Sequence, residues 1–479
     1  MRDMEYPATL PISELISTHP ELRPEKIADY QAFYYGGEEF DRRRDRLIIK
    51  RKVEDSRSAN HTFDGAAHYE FRKKRSQYIN RVGGMVDWIT SAVCKNTPRV
   101  VIRNIGEANP EQIQFWTRLN LDADMEGTPF SSMVRVLVRD ELVTGIPSLE
   151  ISQDDGEPRI MRVEPAAVLD WTDEMVKCRF VSYDRPSELL SPNRQKHTFI
   201  FFTEHDVVCY VAYKDLAGEN WVDENGAVIA EEEAVGRLDT EDSTYGHGLD
   251  IPPLCLSRGT GSQWMMDRVA DPVKALFNAE LDLSFALAQA AYPQPYFVVN
   301  NPGRVQDLVQ SEMAVFLLLP GEEFGYKSPD NSAFDSLFRN VDRLKVALHE
   351  SIQLASKDAG SLPQAGRLSA EAIQKLQNPL ETLLRDYTWP IRDMLMKALQ
   401  AIKKYRGDEN LEIDIENFGE VIITPEDEKD FERIVKGGVS DGRNDPGSIG
   451  GGDGGEADRD AETEGDTVPQ ITGSDDRIA

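Results

Sequence analysis

In the middle of the chain, two stretches with helical apolar spacing bracket a block of strand character. Over residues 271–292 the pattern is that of an amphipathic helix, ended by Pro293-Gln294-Pro295. Over residues 332–356 the apolar positions are 334, 337, 338, 341, 344, 348, 352 and 355, a single stripe. Asp335, Arg339, Asp342, Arg343 and Glu350 occupy the other face, and Ser332 with Asp335 three residues on reads as an N-terminal cap. Between the two helices lie the apolar runs 296–299 and 314–319. At 1.5 Å per residue the helices are about 33 and 37 Å long, matched as two struts lying side by side.

Upstream, Pro24 opens a helix with Tyr30, Phe33 and Tyr34 on its apolar side, and Gly36-Gly37 stops it. A basic stretch follows over residues 42–52. One helix is predicted over 66–94, weakened by Gly83-Gly84, and then a strand at Val100-Val101-Ile102. Residues 110–143 read as helical. From 146 to 213 the period becomes two, and candidate strands at 148–151, 160–163, 176–183, 198–202 and 207–213 predict an antiparallel meander. Residues 214–250 read as a further hairpin and a loop.

Downstream of the central unit, a Gly/Pro loop at 360–366 precedes a long helical pattern over 369–406, which Pro379 and Pro390 should bend or restart. A strand is predicted over 410–418 and a last helix over 424–435. Residues 437–479 hold 11 Gly and 11 Asp/Glu against 3 Arg, the composition of a disordered tail.

The length, 479 residues, suggests two to four domains. The net charge of −30 argues against a tight grip on nucleic acid, which is made with Lys and Arg. Cys94, Cys178, Cys209 and Cys255 form no CxxC pair, so reduced thiols are expected rather than a disulfide framework or a zinc ribbon. Neither a signal peptide nor an 18-residue apolar run is visible.

Catalytic signatures are missing at the expected spacings. The sequence has no G-x-x-x-x-G-K-[ST] and no G-x-S-x-G. His349-Glu350 invites comparison with H-E-x-x-H, but the second ligand position is Gln353. Glu204-His205-Asp206 falls at a turn between strands, where polar residues are ordinary. Arg258-Gly259-Thr260-Gly261-Ser262 reads as a loop. No catalytic residue, metal or cofactor is predicted. The basic clusters at 42–51 and 72–75 read as ion-pair partners for the many acids, with DNA contact as the alternative.

Taken in order, several segments resemble the portal proteins of tailed double-stranded DNA bacteriophages. They are Tyr30-Gln31-Ala32-Phe33-Tyr34-Tyr35-Gly36-Gly37, residues 80–98 leading to Val100-Val101-Ile102, residues 130–145 followed by 148–151, and Ser369-Ala370-Glu371-Ala372-Ile373. The sharpest is Val163-Glu164-Pro165-Ala166-Ala167-Val168-Leu169-Asp170-Trp171. The resemblance covers residues 10–435. It implies an α+β portal architecture: an N-terminal arm (1–24), a wing (25–265), a first stem helix (266–293), a small α/β clip (294–330), a second stem helix (331–356), a tunnel loop (357–368) and wing and crown helices (369–436), before the acidic tail (437–479).

The function so implied is a non-enzymatic ring, typically a dodecamer, at the capsid vertex of the virion, assembled in the host bacterial cytoplasm. Double-stranded DNA passes through it without sequence specificity. Its other partners are the terminase large subunit, which supplies the ATPase, the major capsid protein, the scaffold and a head–tail adaptor; no membrane is involved. Lys345, Lys357, Gln364 and Arg367 are then the residues of the channel and tunnel loop. Leu276, Leu283, Leu287, Leu337, Val341, Leu344, Leu348 and Ile352 pack the stem and its oligomer contacts. An acidic bore suits such a channel, because a wall dense in Lys and Arg holds phosphates at every step. The alternatives are a virion connector or scaffold without a channel, and a nucleic-acid-processing enzyme using His205, Asp206 or His349.

Overall fold

A computed structural model describes residues 6–52, 54, 65–154, 157–172, 174–184, 194–223, 226–239, 244–249, 251–257, 264–291, 294–298, 323–327, 331–351 and 370–419. The chain divides into two compact units, Met1–Gly438 and Val439–Ala479, and every described residue belongs to the first. The expected strand run at 314–319, the Gly-rich loop at 258–262, the Gly/Pro loop, the last helix and the tail lie outside the described residues.

A short strand β1 (Thr9–Pro11) leads into one helical turn, α1 (Ile12–Leu15). Pro24 then opens α2 (Pro24–Tyr35), and Gly36 at φ +63° turns the chain directly into α3 (Gly37–Leu47). Where the sequence showed only a basic stretch there is a helix, because α3 buries just Phe40 and Leu47, too few apolar residues to display a period. The helix expected over 66–94 is two, α4 (Gly65–Lys74) and α5 (Arg81–Val93). The break precedes Asn80 rather than falling at Gly83-Gly84. Asn80 Oδ1 accepts the Gly83 N–H at 2.8 Å, and its Nδ2 donates to Tyr34 O at 2.7 Å. Gly83 is needed at this crossing, since a Cβ there would stand 2.9 Å from Asn80 Nδ2 and 3.1 Å from Tyr34 O.

After β2 (Arg99–Ile102), the region 110–143 also divides, into α6 (Pro110–Leu121) and α7 (Phe130–Thr144). A reciprocal capping box between Asn109 and Gln112 starts α6, and Gly145 in the left-handed region ends α7. Ten strands follow: β3 (Ser148–Asp154), β4 (Glu157–Val163), β5 (Val168–Trp171), β6 (Met175–Asp184), β7 (Arg194–Thr203), β8 (Asp206–Lys214), β9 (Trp221–Val222), β10 (Val235–Leu238), β11 (Tyr245–Gly246) and β12 (Leu254–Leu256). They are antiparallel as predicted, but they form two sheets. The larger runs β1-β10-β8-β7-β6-β5 with β9 and β11 also on β8, and the smaller is β12-β3-β4. Alternation within a strand does not say which strand it pairs with, so the closure of β12 onto β3 across about a hundred residues was invisible.

The central unit consists of α8 (Met265–Ala291), β13 (Gln294–Val298), β14 (Glu323–Lys327) and α9 (Asn331–Ser351). Then α10 (Ala370–Tyr405) runs as one helix through Pro379 and Pro390, without the restart that the prolines suggested. Finally β15 (Ile413–Glu416) returns to pair with β2, Ile413 opposite Ile102 and Glu416 opposite Arg99. The main core gathers α2, α3, α5, α7, the first half of α8 and the last half of α10, where Leu384, Ile391, Leu395, Ala398, Leu399 and Ile402 are fully buried. Two smaller cores lie against the large sheet. The fold class, mixed helix and antiparallel sheet, agrees with the α+β expectation.

Candidate functional site: the paired helices and their clamp

Helices α8 and α9 form an antiparallel pair, joined at one end through the strand pair β13–β14. Gln294, three residues after α8, stands opposite Lys327, four residues before α9. At the other end Leu348 of α9 shares a small cleft with Val273, Leu276, Phe277 and Glu280 of α8. The spacing of apolar residues produces this. Leu276 on α8, and Val341 and Leu348 on α9, are buried, and Leu283 and Leu344 pack against the core as partly buried side chains. Leu337 is half-buried. Each fully buried aliphatic side chain contributes about 1.5–3 kcal/mol.

Not every expected packing residue turns inward. Leu287 keeps 43% of its surface exposed, and on α9 Phe338 keeps 46% and Val346 57%. The outer face of α9 thus carries two large apolar side chains among exposed Asp335, Arg339, Asp342 and Arg343. The charges there are balanced, two acids against two arginines, rather than acidic. Lys345 is half-buried, with its ammonium 3.4 Å from the Asp342 carboxylate. Ile352, Lys357, Gln364 and Arg367 lie outside the described residues, as does the side chain of His349.

The helix α8 starts at Met265, and its first turns are sunk in the body: Met265, Met266, Val269, Val273, Leu276, Phe277 and Leu281 all belong to the main core. Its polar face is held as firmly. Asn278 donates to Leu47 O at 3.0 Å and accepts from the Ile49 N–H at 2.8 Å. Arg81 grips Glu280 with two hydrogen bonds, 2.7 and 3.0 Å. Arg51 and Arg72 both reach Asp282. Arg72, only 1% exposed, also makes two 2.8 Å bonds to Glu54 and one of 2.7 Å to Ile49 O. Burial pushes the Glu54 carboxyl up, but the Arg72 and Arg51 donors outweigh it and hold it below the ordinary value. Phe285 sits edge-on to His68 and Phe71. The sequence missed the roles of Asn278, Glu280 and Asp282. Their only signal was three polar residues within five positions of a stripe otherwise apolar.

Most members of the basic clusters stand in ion pairs, while Lys50 and Arg75 lie over the Tyr69 and Phe71 rings. Arg42 pairs with Glu39, Arg43 and Arg46 each with Glu25 and Asp29, Arg44 with Asp41, and Lys73 with Asp45. The Arg43 hydrogen bond holds the Glu25 carboxyl low, and the Lys73 one does the same for Asp45. Of the remaining chemical candidates, Glu204 and His205 do occupy the β7–β8 turn, and Asp206 accepts a 3.0 Å hydrogen bond from Tyr6. Among the described residues no three His, Cys, Asp or Glu side chains are grouped to hold a metal ion. The four cysteines are free and buried, and burial raises the thiols of Cys94 to about 11 and of Cys255 to about 12. No described helix is long and apolar enough to cross a membrane.

No family model matches the chain, and no curated protein matches it. Among solved structures, a chain of the "Neck of empty GTA particle computed with C6 symmetry" aligns at 12% identity and a TM-score of 0.33, over 69% of this chain and 79% of that one. A chain of the "Virion of native gene transfer agent (GTA) particle" aligns at 11% identity and a TM-score of 0.33, over 70% and 79%. Likenesses this distant carry no argument about fold or function.

Proposed function

We propose that the chain is a portal subunit, one copy of a ring at the capsid vertex of a tailed double-stranded DNA phage or related particle. One observation carries the reading: an antiparallel pair of long helices, bridged by a strand pair at one end and rooted at the other in an α+β body. In this reading α8 and α9 are the stem, β13 and β14 belong to the clip, and the body is the wing. Copies stand side by side, and Leu287, Phe338 and Val346 pack against the next copy. DNA passes along the bore, past Lys345 and the tunnel-loop residues Lys357, Gln364 and Arg367. The ring itself hydrolyses nothing; the terminase large subunit drives DNA through it, with capsid protein, scaffold and adaptor docking around it.

The test is particle imaging of the purified full-length chain. Closed rings with a central hole are expected, and a uniform monomer at high protein concentration overturns the reading. Because Leu344 is engaged within the chain, the interface is better probed at the exposed positions. Phe338→Asp with Val346→Asp should disperse the rings while moving monomer stability by no more than about 0.5 kcal/mol per site, as surface changes do. Rings that survive both changes place the subunit contact elsewhere.

A further inference from the structure

A groove of about 730 Å³ opens between α10 and the two sheets. One wall is Trp389, Pro390, Asp393, Met394 and Lys397 of α10, and the opposite wall is Trp171, Thr172 and Val176 at the β5–β6 turn. The floor is β12. Among the described residues β12 has a neighbouring strand on one side only, β3. The hydrogen bonds toward β3 use alternate residues: Ile151 N–H donates to Pro253 O, Ser257 N–H donates to Pro147 O, and Cys255 stands opposite Leu149. By the same alternation the N–H and C=O of Leu254 and Leu256 point the other way, along the groove. A strand edge between two walls that carry Trp389 and Met394 on one side and Trp171 and Val176 on the other is the shape that takes an extended peptide, with backbone bonds to the edge and alternate side chains to the walls. Trp389 stands at its rim 65% exposed, a large apolar surface left to water.

The chain supplies a matching segment. Its described course ends at Gly419, where an added Cβ would stand 3.7 Å from Arg392 and 3.9 Å from Thr388, and Arg392 donates to Phe418 O. Those two residues of α10 immediately precede Asp393 and Trp389 of the groove wall, about 100° away around the helix at 3.6 residues per turn. Residues 421–424 read Val-Ile-Ile-Thr, four β-branched residues in a row, and Pro425 follows. Three extended residues span roughly 10 Å, the distance around that quarter of the helix. Pro425, without an N–H, would end the pairing.

We propose that the groove is a strand-docking slot and that residues 421–424 of the same chain fill it, extending the β12-β3-β4 sheet by a fourth strand and covering Trp389. This docking stands independently of ring formation. The test uses Cys255, which lies in the slot. In the full-length chain, Ile422→Cys and Ile423→Cys are made separately, with Ser448→Cys as a control in the tail. Each is oxidised with copper–phenanthroline, and the disulfide-linked peptides are mapped by mass spectrometry. Because neighbouring strand residues face opposite walls, only one of positions 422 and 423 should link to Cys255 within the chain, at least tenfold above the control. In the unsubstituted chain the Leu254 and Leu256 amides should exchange with deuterium at least tenfold more slowly than in Val421→Asp/Ile423→Asp. Linkage at neither position, equal linkage at both and at the control, or linkage only between two chains overturns the proposal.

Discussion

Single residues in this chain are most consequential where charge is buried. Arg72 pairs with Glu54 and Asp282 together, so removing it leaves the enclosed Glu54 carboxylate without its guanidinium partner. Arg72→Leu should destabilise the fold by about 3–5 kcal/mol, read by urea unfolding, and Glu54→Leu added to it should recover part of the loss. Glu141 on α7 is the opposite case: 2% exposed, with Oε2 lacking a hydrogen-bond partner among the described residues. Burial pushes its carboxyl from the ordinary 4.5 up to about 8. The folded chain therefore holds this proton more tightly than the unfolded one. Stability falls as pH rises from about 4.5 to about 8 and is flat beyond. Glu141→Gln should be near neutral at pH 4.5 and stabilising by on the order of 4 kcal/mol at pH 8, seen in pH-resolved thermal melts. Neither residue stood out in the sequence. Arg72 was one member of a basic cluster and Glu141 one acid in a helix, because burial of a charge is decided by which elements meet over it.

At the scale of elements, what was legible followed from residue spacing. The α8 and α9 stripes, α10 and the strand around Ile413 and Ile415 all carry dense apolar periods, and all are present. Of the strand-type run 296–299, the first three residues fall within β13, and Val299 lies outside the described residues. Elements defined by caps and close approaches were harder to see. The break before α5 depends on Asn80, whose amide ties the helix start to Tyr34 over 46 residues of sequence. Asn80→Ala should cost about 1–2 kcal/mol, measured by chemical denaturation, since both the cap and the bond to Tyr34 are lost. On α9, Val341 and Leu348 were readable as members of one stripe, whereas the outward turn of Phe338, a member of the same stripe, was not. A stripe widened by one position looks the same whether the extra residue faces its own chain or another.

For the whole molecule, the body is closed by its last elements. Gln112 and Trp116 of α6 both bond Asp408, which follows α10, and β15 zips onto β2. A chain stopped after residue 436 should keep the thermal midpoint and the oligomeric state of the full chain, checked by calorimetry and particle imaging. A chain stopped after residue 405 should not reach a cooperative fold, because β2, Trp116 and the face of α6 lose their cover.

The pairing of Arg99–Ile102 with Ile413–Glu416 also sets a clock. A ribosome adding about 5–20 residues per second needs roughly 15–60 s to travel from one strand to the other. During that interval the nascent polypeptide has already emitted both rods, yet cannot seal the nucleus that anchors them. The rods therefore stay without their anchor until the ribosome has passed Glu416, and a chain caught before that point leaves β2 and the apolar face of α6 uncovered.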